Sequence, residues 1–301
     1  MPTSTALRRC PPLIVVPPRM DVYREVSAKV HEIFSEYTAL IEPLSLDEAY
    51  LDVSQATACQ GSATLMAREI RERVRAELGI TMSAGIAPNK FIAKIASDWE
   101  KPDGQFVVLP HEVDAFVSEL PVKKLFGVGK VMAARLHEMG VEKCGQLRGY
   151  TEAELVSRFG SFGQRLYQLC RGIDQREVKV ERQRKSLSVE NTFPVDLPDL
   201  PACQFELEVL FEQMVKRWQK LKSKYRVQGC FVKLKFDNFV TTTAEQTAES
   251  PDRMNYTPLM ETAWQRHRRP VRLIGVGVRL SPISSTADSE YLQSQFDLPL
   301  S

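Results

Sequence analysis

Residues Ile41–Ser54 read IEPLSLDEAYLDVS and carry four acids, Glu42, Asp47, Glu48 and Asp52, among apolar residues. Ahead of the Asp47–Glu48 pair the apolar side chains fall on even positions, Leu44 and Leu46. Behind it they fall on odd ones, Ala49, Leu51 and Val53. A strand alternates its side chains with period two, so this change of phase marks a turn or bulge between two strands. The spacing predicts a hairpin with both carboxylates near its tip. Adjacent carboxylates repel, and a half-buried tip offers them little water. A divalent cation or cationic side chains opposite would relieve the repulsion. A solvated Asp-Glu turn satisfies the same local pattern, so the choice falls to the rest of the chain.

Upstream, Asp21–Tyr37 has apolar residues at 22, 26, 30, 33, 34 and 37, the spacing of an amphipathic helix. Earlier still, LIVV at 13–16 lies between two Pro-Pro pairs and reads as a strand in need of a partner sheet. Downstream, 62–78 is a helix closed by Gly79, 80–87 a strand, 89–101 a helix, and 105–110 a further strand after the Pro102-Asp103-Gly104 turn. These elements predict helices packed on one face of a largely antiparallel sheet.

Residues 111–180 change character to short-looped, basic helices. Gly127-Val128-Gly129 sits between two helical stretches, flanked by Lys123, Lys124 and Lys130. A turn with paired glycines brings backbone N–H groups close to an anion, and the following helix adds its positive N-terminus. A similar element recurs at 158–172, RFGSFGQRLYQLCRG. Either turn alone serves equally as a helix connector; two in one basic block point to a grip on a phosphate backbone. Residues 173–190 are polar and charged, a linker or an extended segment along a polyanion. Residues 191–282 form another α+β unit, with a helix at 205–221, a strand at 229–239, a loop, a helix near 257–267 and a last strand. The middle strand sets Val232, Leu234 and Phe236 on one face and Lys233 and Lys235 on the other.

Composition, 43% hydrophobic and 26% charged over 301 residues, describes a globular chain of two or three domains, without a membrane-spanning run or a signal peptide. Six cysteines without a CxxC and four scattered histidines suggest reduced thiols of a cytoplasmic protein rather than a zinc site. The net charge of +2 conceals an uneven spread: −5 over residues 1–120, +6 over 121–190 and +1 over 191–301. An acidic part beside a basic part suits a metal-binding half next to a polyanion-gripping half. The polar stretch from 283 ends in Gln295-Phe296-Asp297-Leu298-Pro299-Leu300. An apolar peptide on a tether expected to be disordered suits docking into a partner's groove.

SLDEAYLDVS, SAGIAPNKFIAKIASDWEKPDGQFVVL, the GVGK turn, RKSLSVENTF and VKLKF occur in one order and together closely resemble the Y-family translesion DNA polymerases, within them the bacterial DNA polymerase IV (DinB) type. The resemblance covers the chain to about residue 282, and QFDLPL looks like that family's sliding-clamp-binding peptide. It implies an α+β right-hand polymerase: a partial palm over 1–110, a helix-hairpin-helix thumb over 111–172, a linker over 173–185, a little finger over 186–282 and a tail over 283–301. By resemblance, Asp47 and Glu48 are metal-binding carboxylates for two Mg²⁺ ions, with Glu48 the catalytic carboxylate near the primer 3′-hydroxyl. Lys101 matches the lysine that meets the incoming nucleotide's triphosphate. Gly127, Gly129 and Lys130 match the hold on the primer duplex, Lys233 and Lys235 the DNA-facing little-finger strand, and Gln295, Phe296, Leu298 and Leu300 the clamp contact. The implied partners are primer-template DNA, deoxynucleoside triphosphates and the clamp, with no membrane, for a monomer that performs error-prone translesion synthesis in DNA damage tolerance and repair.

The resemblance departs at the start. The family opens with a strand bearing Asp-x-Asp and two adjacent aromatics, then small fingers, whereas Met1 aligns with the palm helix that follows them. The expectation is a site without its first aspartate, steric gate and fingers, from a start at an internal methionine or a degenerate paralogue. Activity of this chain would then be impaired. The alternative is a catalytically inactive protein that binds DNA and the clamp.

Overall fold

The computed structural model describes residues 1–181 and 183–283, and the chain divides into two compact units, 1–181 and 182–301. The predicted clamp peptide, Gln295–Leu300, lies outside the described residues.

In the first unit, helix α1 (Thr3–Arg9) has no buried residue, and α2 (Met20–Ser35) buries Val30, Ile33 and Phe34. The LIVV stretch is not a strand: Ile14 is 84% exposed, and no strand is assigned there. Prolines on both sides deprive the segment of ladder donors and favour a solvated extended backbone. Strands β1 (Ile41–Pro43) and β2 (Ala49–Leu51) form an antiparallel hairpin, as the phase change requires. Helix α3 (Ala63–Leu78) starts where the Ser62 hydroxyl accepts the Leu65 N–H at 3.3 Å and stops at Gly79 in the left-handed region. It presses Met66, Ile70 and Val74 against the α2 side chains and Tyr37.

In this unit the strands form two separate pairs rather than one largely antiparallel sheet. Strand β3 (Ala84–Ile86) pairs in parallel with β4 (Gln105–Val107), apart from the β1–β2 hairpin. Three-residue strands with no strand between them leave each pair two-stranded, and a cleft of about 1310 Å³ lies along both, lined by α2, the hairpin, α3 and β3. Between β3 and β4 comes helix α4 (Lys90–Ala96), capped where the Asn89 side chain accepts the Ile92 N–H at 3.1 Å. Its apolar face, Phe91, Ile92, Ile95 and Ala96, joins the core of the following helices rather than that of α2 and α3.

Those helices are α5 (Val113–Glu119), α6 (Lys130–Glu138), α7 (Cys144–Leu147), α8 (Glu152–Phe159) and α9 (Ser161–Leu169), around Leu120, Leu136, Leu147, Leu155 and Leu166. In the second glycine element Gly163 serves packing. A Cβ on Gly163 would lie 2.1 Å from the Leu155 carbonyl oxygen, so the glycine lets α9 cross α8 at backbone contact.

The second unit is one antiparallel sheet in the order β5-β8-β6-β7, made of β5 (Ser186–Leu197), β6 (Tyr225–Phe236), β7 (Thr241–Thr247) and β8 (Val271–Pro282). Helices α10 (Leu200–Gln219) and α11 (Tyr256–Gln265) pack on it, and Val232, Leu234 and Phe236 are buried as the alternation predicts. Strands β5 and β7 were hidden in polar sequence. An edge strand such as β7 buries only Ala244 and exposes its threonines, so it has no apolar alternation to read. All six cysteines are free thiols, and burial pushes Cys144 up to about 12. Among the described residues no helix is long and apolar enough to cross a membrane.

Gly163→Ala is expected to destabilise the chain by about 2 kcal/mol, the cost of overpacking a tight crossing. Urea unfolding followed by circular dichroism measures it.

Candidate active site

The β1–β2 register pairs Ile41 with Leu51, Glu42 with Tyr50 and Pro43 with Ala49. The tip closes through the Leu44 and Ser45 N–H groups, which donate to the Glu48 carbonyl at 2.9 and 3.3 Å. Asp47 is exposed and accepts a hydrogen bond from the Ser45 hydroxyl at 2.6 Å. Glu48 accepts from the Lys94 ammonium at 2.6 Å, with side chains 40% and 31% exposed. The tip is therefore wetter than its apolar flanks suggest, and the side chain buried beneath it is Tyr50, not its odd-numbered neighbours.

The cations come from α4, one helical turn apart, in KFIAK. Lys94 serves Glu48, and Lys90 serves Glu42. Lys90 is only 7% exposed; it also donates to the Glu177 carbonyl at 3.0 Å and lies 5.0 Å from the Tyr50 ring centre. Tyr50 borders the cleft, and its buried hydroxyl has no hydrogen-bond partner among the described residues. Burial pushes Glu42 up, but Lys90 and the Lys179 N–H, donating at 2.7 Å, outweigh it and hold the carboxyl below the usual carboxylate range. Glu42, Lys90 and Lys94 were passed over as site residues. The i, i+4 lysines on a helix predicted beside an acidic hairpin were the available signal.

Lys101, at the Lys101–Pro102 bond, pairs with Asp98 at 2.7 Å and remains 52% exposed. Its pKa is raised chiefly by that hydrogen bond, and its side chain lines the same cleft as Asp47, Glu48 and Lys94. Gly127, Gly129 and Lys130 lie elsewhere in this unit. Gly127 takes a φ of 90°, and Gly129 opens α6 without a side-chain cap. Lys123, Lys124, Gly129, Lys130 and His137 line a groove of about 570 Å³. None of these three lysines makes an ion pair among the described residues, which leaves their charge available to an anion. In the second unit Lys233 is tied to Glu190 at 2.9 Å, and Lys235 lies 4.7 Å from the Phe239 ring centre.

Family models match along most of the chain: the impB/mucB/samB family over 1–98, the DNA polymerase-iota thumb domain over 123–174, and the impB/mucB/samB family C-terminal domain over 184–291. DNA polymerase IV of Ectopseudomonas mendocina (strain ymp) is 55% identical over 280 residues, covering 93% of this chain and 80% of that protein. The chain belongs to the DNA polymerase IV family. DNA polymerase IV of Ralstonia nicotianae (strain ATCC BAA-1114 / GMI1000) is 51% identical over 292 residues, covering 97% of this chain and 82% of that protein. A Y-family DNA polymerase chimera, Dbh-Dpo4(243-245)-Dbh, superposes with a TM-score of 0.84 at 27% identity, covering 95% of this chain and 83% of that one. The insertion ternary complex of Dbh DNA polymerase gives a TM-score of 0.60 at 26% identity, covering 94% and 83%.

As a member of this family, the chain is a DNA-directed DNA polymerase of translesion synthesis, a nucleotidyl transferase acting on DNA and nucleotides. The polymerase hairpin is held to α4 and to residues 177–179 by the buried Glu42–Lys90 pair. Glu42→Gln leaves the ammonium without its anion and is expected to cost about 3 kcal/mol in urea unfolding at pH 7. Because the folded-state carboxyl is depressed, its contribution is present above about pH 4 and is lost as pH falls through the folded value. The gap between wild type and variant should narrow below pH 4.

Proposed function

We propose that this chain extends primers at the tip of the β1–β2 hairpin. Asp47 and Glu48 hold Mg²⁺ there, and Lys101 meets the triphosphate of the incoming deoxynucleotide. The observation that carries this reading is the convergence of two carboxylates on one hairpin tip with Lys94 and Lys101 lining the same cleft. Exposed, adjacent carboxylates are hard oxygen donors of the kind Mg²⁺ takes one or two at a time, beside waters and substrate phosphates, so the donor set fits. Bound there, the metal lowers the pKa of the attacking 3′-hydroxyl and offsets developing phosphoryl charge. The protein's part is positional. Ser45 fixes the Asp47 carboxylate and Lys94 aims that of Glu48, the catalytic acid nearest the primer terminus. Lys101 supplies a compact ammonium on a mobile stem, suited to a phosphate oxygen.

Away from the hairpin, Gly127, Gly129 and Lys130 hold the primer duplex, supported by the free lysines of their groove and the uncapped start of α6. Lys233 and Lys235 follow the DNA in the little finger, Lys235 with the less compensated charge. Gln295, Phe296, Leu298 and Leu300 bind the sliding clamp, a reading that rests on the sequence of the tail. The protein works as a monomer.

One observation favours the second reading, DNA and clamp binding without catalysis. Among the described residues no group of three or more His, Cys, Asp or Glu side chains converges, whereas a site for two ions would draw on more oxygen donors than one adjacent pair. Primer extension with Mg²⁺ separates the readings: extension supports catalysis at the hairpin, and primer-template binding without extension supports the second reading. Asp47→Ala should abolish extension and leave primer-template affinity within about twofold. That factor is under 0.5 kcal/mol. Deleting residues 295–300 should abolish clamp binding and spare DNA binding; unchanged clamp binding would refute the assignment of the tail.

A further inference from the structure

Beyond α9 the chain does not leave as a free linker. Asn89 donates to the Gly172 carbonyl at 2.8 Å, the Phe91 N–H to Asp174 at 3.0 Å, Lys90 to the Glu177 carbonyl at 3.0 Å, and the Lys179 N–H to Glu42 at 2.7 Å. Residues 172–179 thus form a strap fastened along the start of α4 and the hairpin.

Within the strap, the Asp174 side chain is 4% exposed and holds Arg176 as a fork, Nε to Oδ1 and Nη2 to Oδ2, both at 2.7 Å. A bidentate grip fixes the plane of a guanidinium as well as its place. That guanidinium lies over Phe126, with Cζ 4.7 Å from the ring centre. Arg165 of α9 lies over the same ring at 5.0 Å, and its Nη2 is buried with no hydrogen-bond partner among the described residues. Phe162, on the same helix, fills the space beside Gly127, where a Cβ would come within 2.9 Å of its ring. Phe126 itself is 40% exposed and precedes the Gly127–Gly129 turn.

We propose that Arg176, held by Asp174, and Arg165 are positioning residues that fix Phe126 and thereby hold the Gly127–Gly129 turn ready for a DNA phosphate backbone. The inference rests on the reading of that turn as a phosphate grip. A turn with two glycines has wide conformational freedom, and any of it surviving in the free protein must be surrendered when an anion binds. Two cations over one ring, one of them locked to a buried carboxylate, remove that freedom in advance. Asp174 also accepts from the first turn of α4, so the helix that carries Lys90 and Lys94 shares an anchor with the turn.

A cation that touches phosphate and one that positions a turn differ in salt dependence. Losing a phosphate contact lowers the slope of log Kd against log salt by about 1, whereas losing preorganisation weakens binding at every salt alike. The experiment measures primer-template affinity of the full chain by fluorescence anisotropy over a salt series, for Arg176→Ala, Arg176→Lys, Phe126→Leu, the Arg176→Ala/Phe126→Leu double variant and Lys130→Ala. Thermal unfolding monitors folding. Arg176→Ala and Phe126→Leu are each expected to weaken binding about fivefold with the slope unchanged. The double variant should be no weaker than either single one. Arg176→Lys should resemble Arg176→Ala, since it keeps the charge and loses the fork.

A slope reduced by Arg176→Ala, rescue by lysine, additive losses or an unchanged affinity would each overturn the proposal. Should Arg176→Ala fail to fold, the half-exposed Phe126→Leu decides alone by its affinity and slope. Lys130→Ala should lower the slope by about 1. If it does not, the phosphate-grip reading falls and the brace with it; if it does while Phe126→Leu is silent, the brace alone falls.

Discussion

A buried ammonium has to be matched where it sits, and Lys90 imposes that condition on the first unit. Its charge is met by the Glu42 carboxylate, the Glu177 carbonyl and the face of Tyr50. Those three groups come from the base of the acidic hairpin, its second strand and the strap beyond α9. An ion pair of this kind gains little over apolar packing, yet removing one partner leaves a largely buried charge without its match. Hairpin, α4 and strap therefore meet in one arrangement, and the carboxylates at the tip inherit it.

Charge is compensated unevenly along the molecule, and the unevenness follows the roles of its parts. Beside the hairpin each cation has an acid: Lys90 with Glu42, Lys94 with Glu48, Lys101 with Asp98. Asp47 is left with a hydroxyl and solvent. The groove at the start of α6 is the reverse, three lysines without an ion pair among the described residues. The second unit is largely balanced within itself, through Lys233 with Glu190, Arg269 with Asp237 and Arg279 with Glu245. The local net charges of −5, +6 and +1 along the chain express the same distribution.

Where local rules dominate, the chain could be read directly. The change of apolar phase at Asp47–Glu48 foretold a hairpin, because a strand's alternation cannot shift without a turn. Ser62 and Gly79 bounded α3 because they satisfy its terminal groups. The buried face of β6 followed from alternation alone. The misread segments were those whose state depends on neighbours. LIVV at 13–16 has strand-like side chains and no ladder. β7 has a ladder and no apolar pattern, since an edge strand that buries only Ala244 has little to alternate. Among the glycines near 160, Gly163 serves the α8–α9 crossing.

By itself the sequence determined most of the helices, the acidic hairpin, the family and the residue types at the candidate site, because periodicity, capping and motif are written between near neighbours. Only the tertiary structure decided which cation answers which acid. Lys90 and Glu42 are 48 positions apart, Lys94 and Glu48 are 46 apart, and Lys179 and Glu42 are 137 apart. Nothing in local pattern links residues at such separations. They meet because α4 turns its apolar face to the helices that follow it, which carries its lysines to the hairpin and brings the strap down across both.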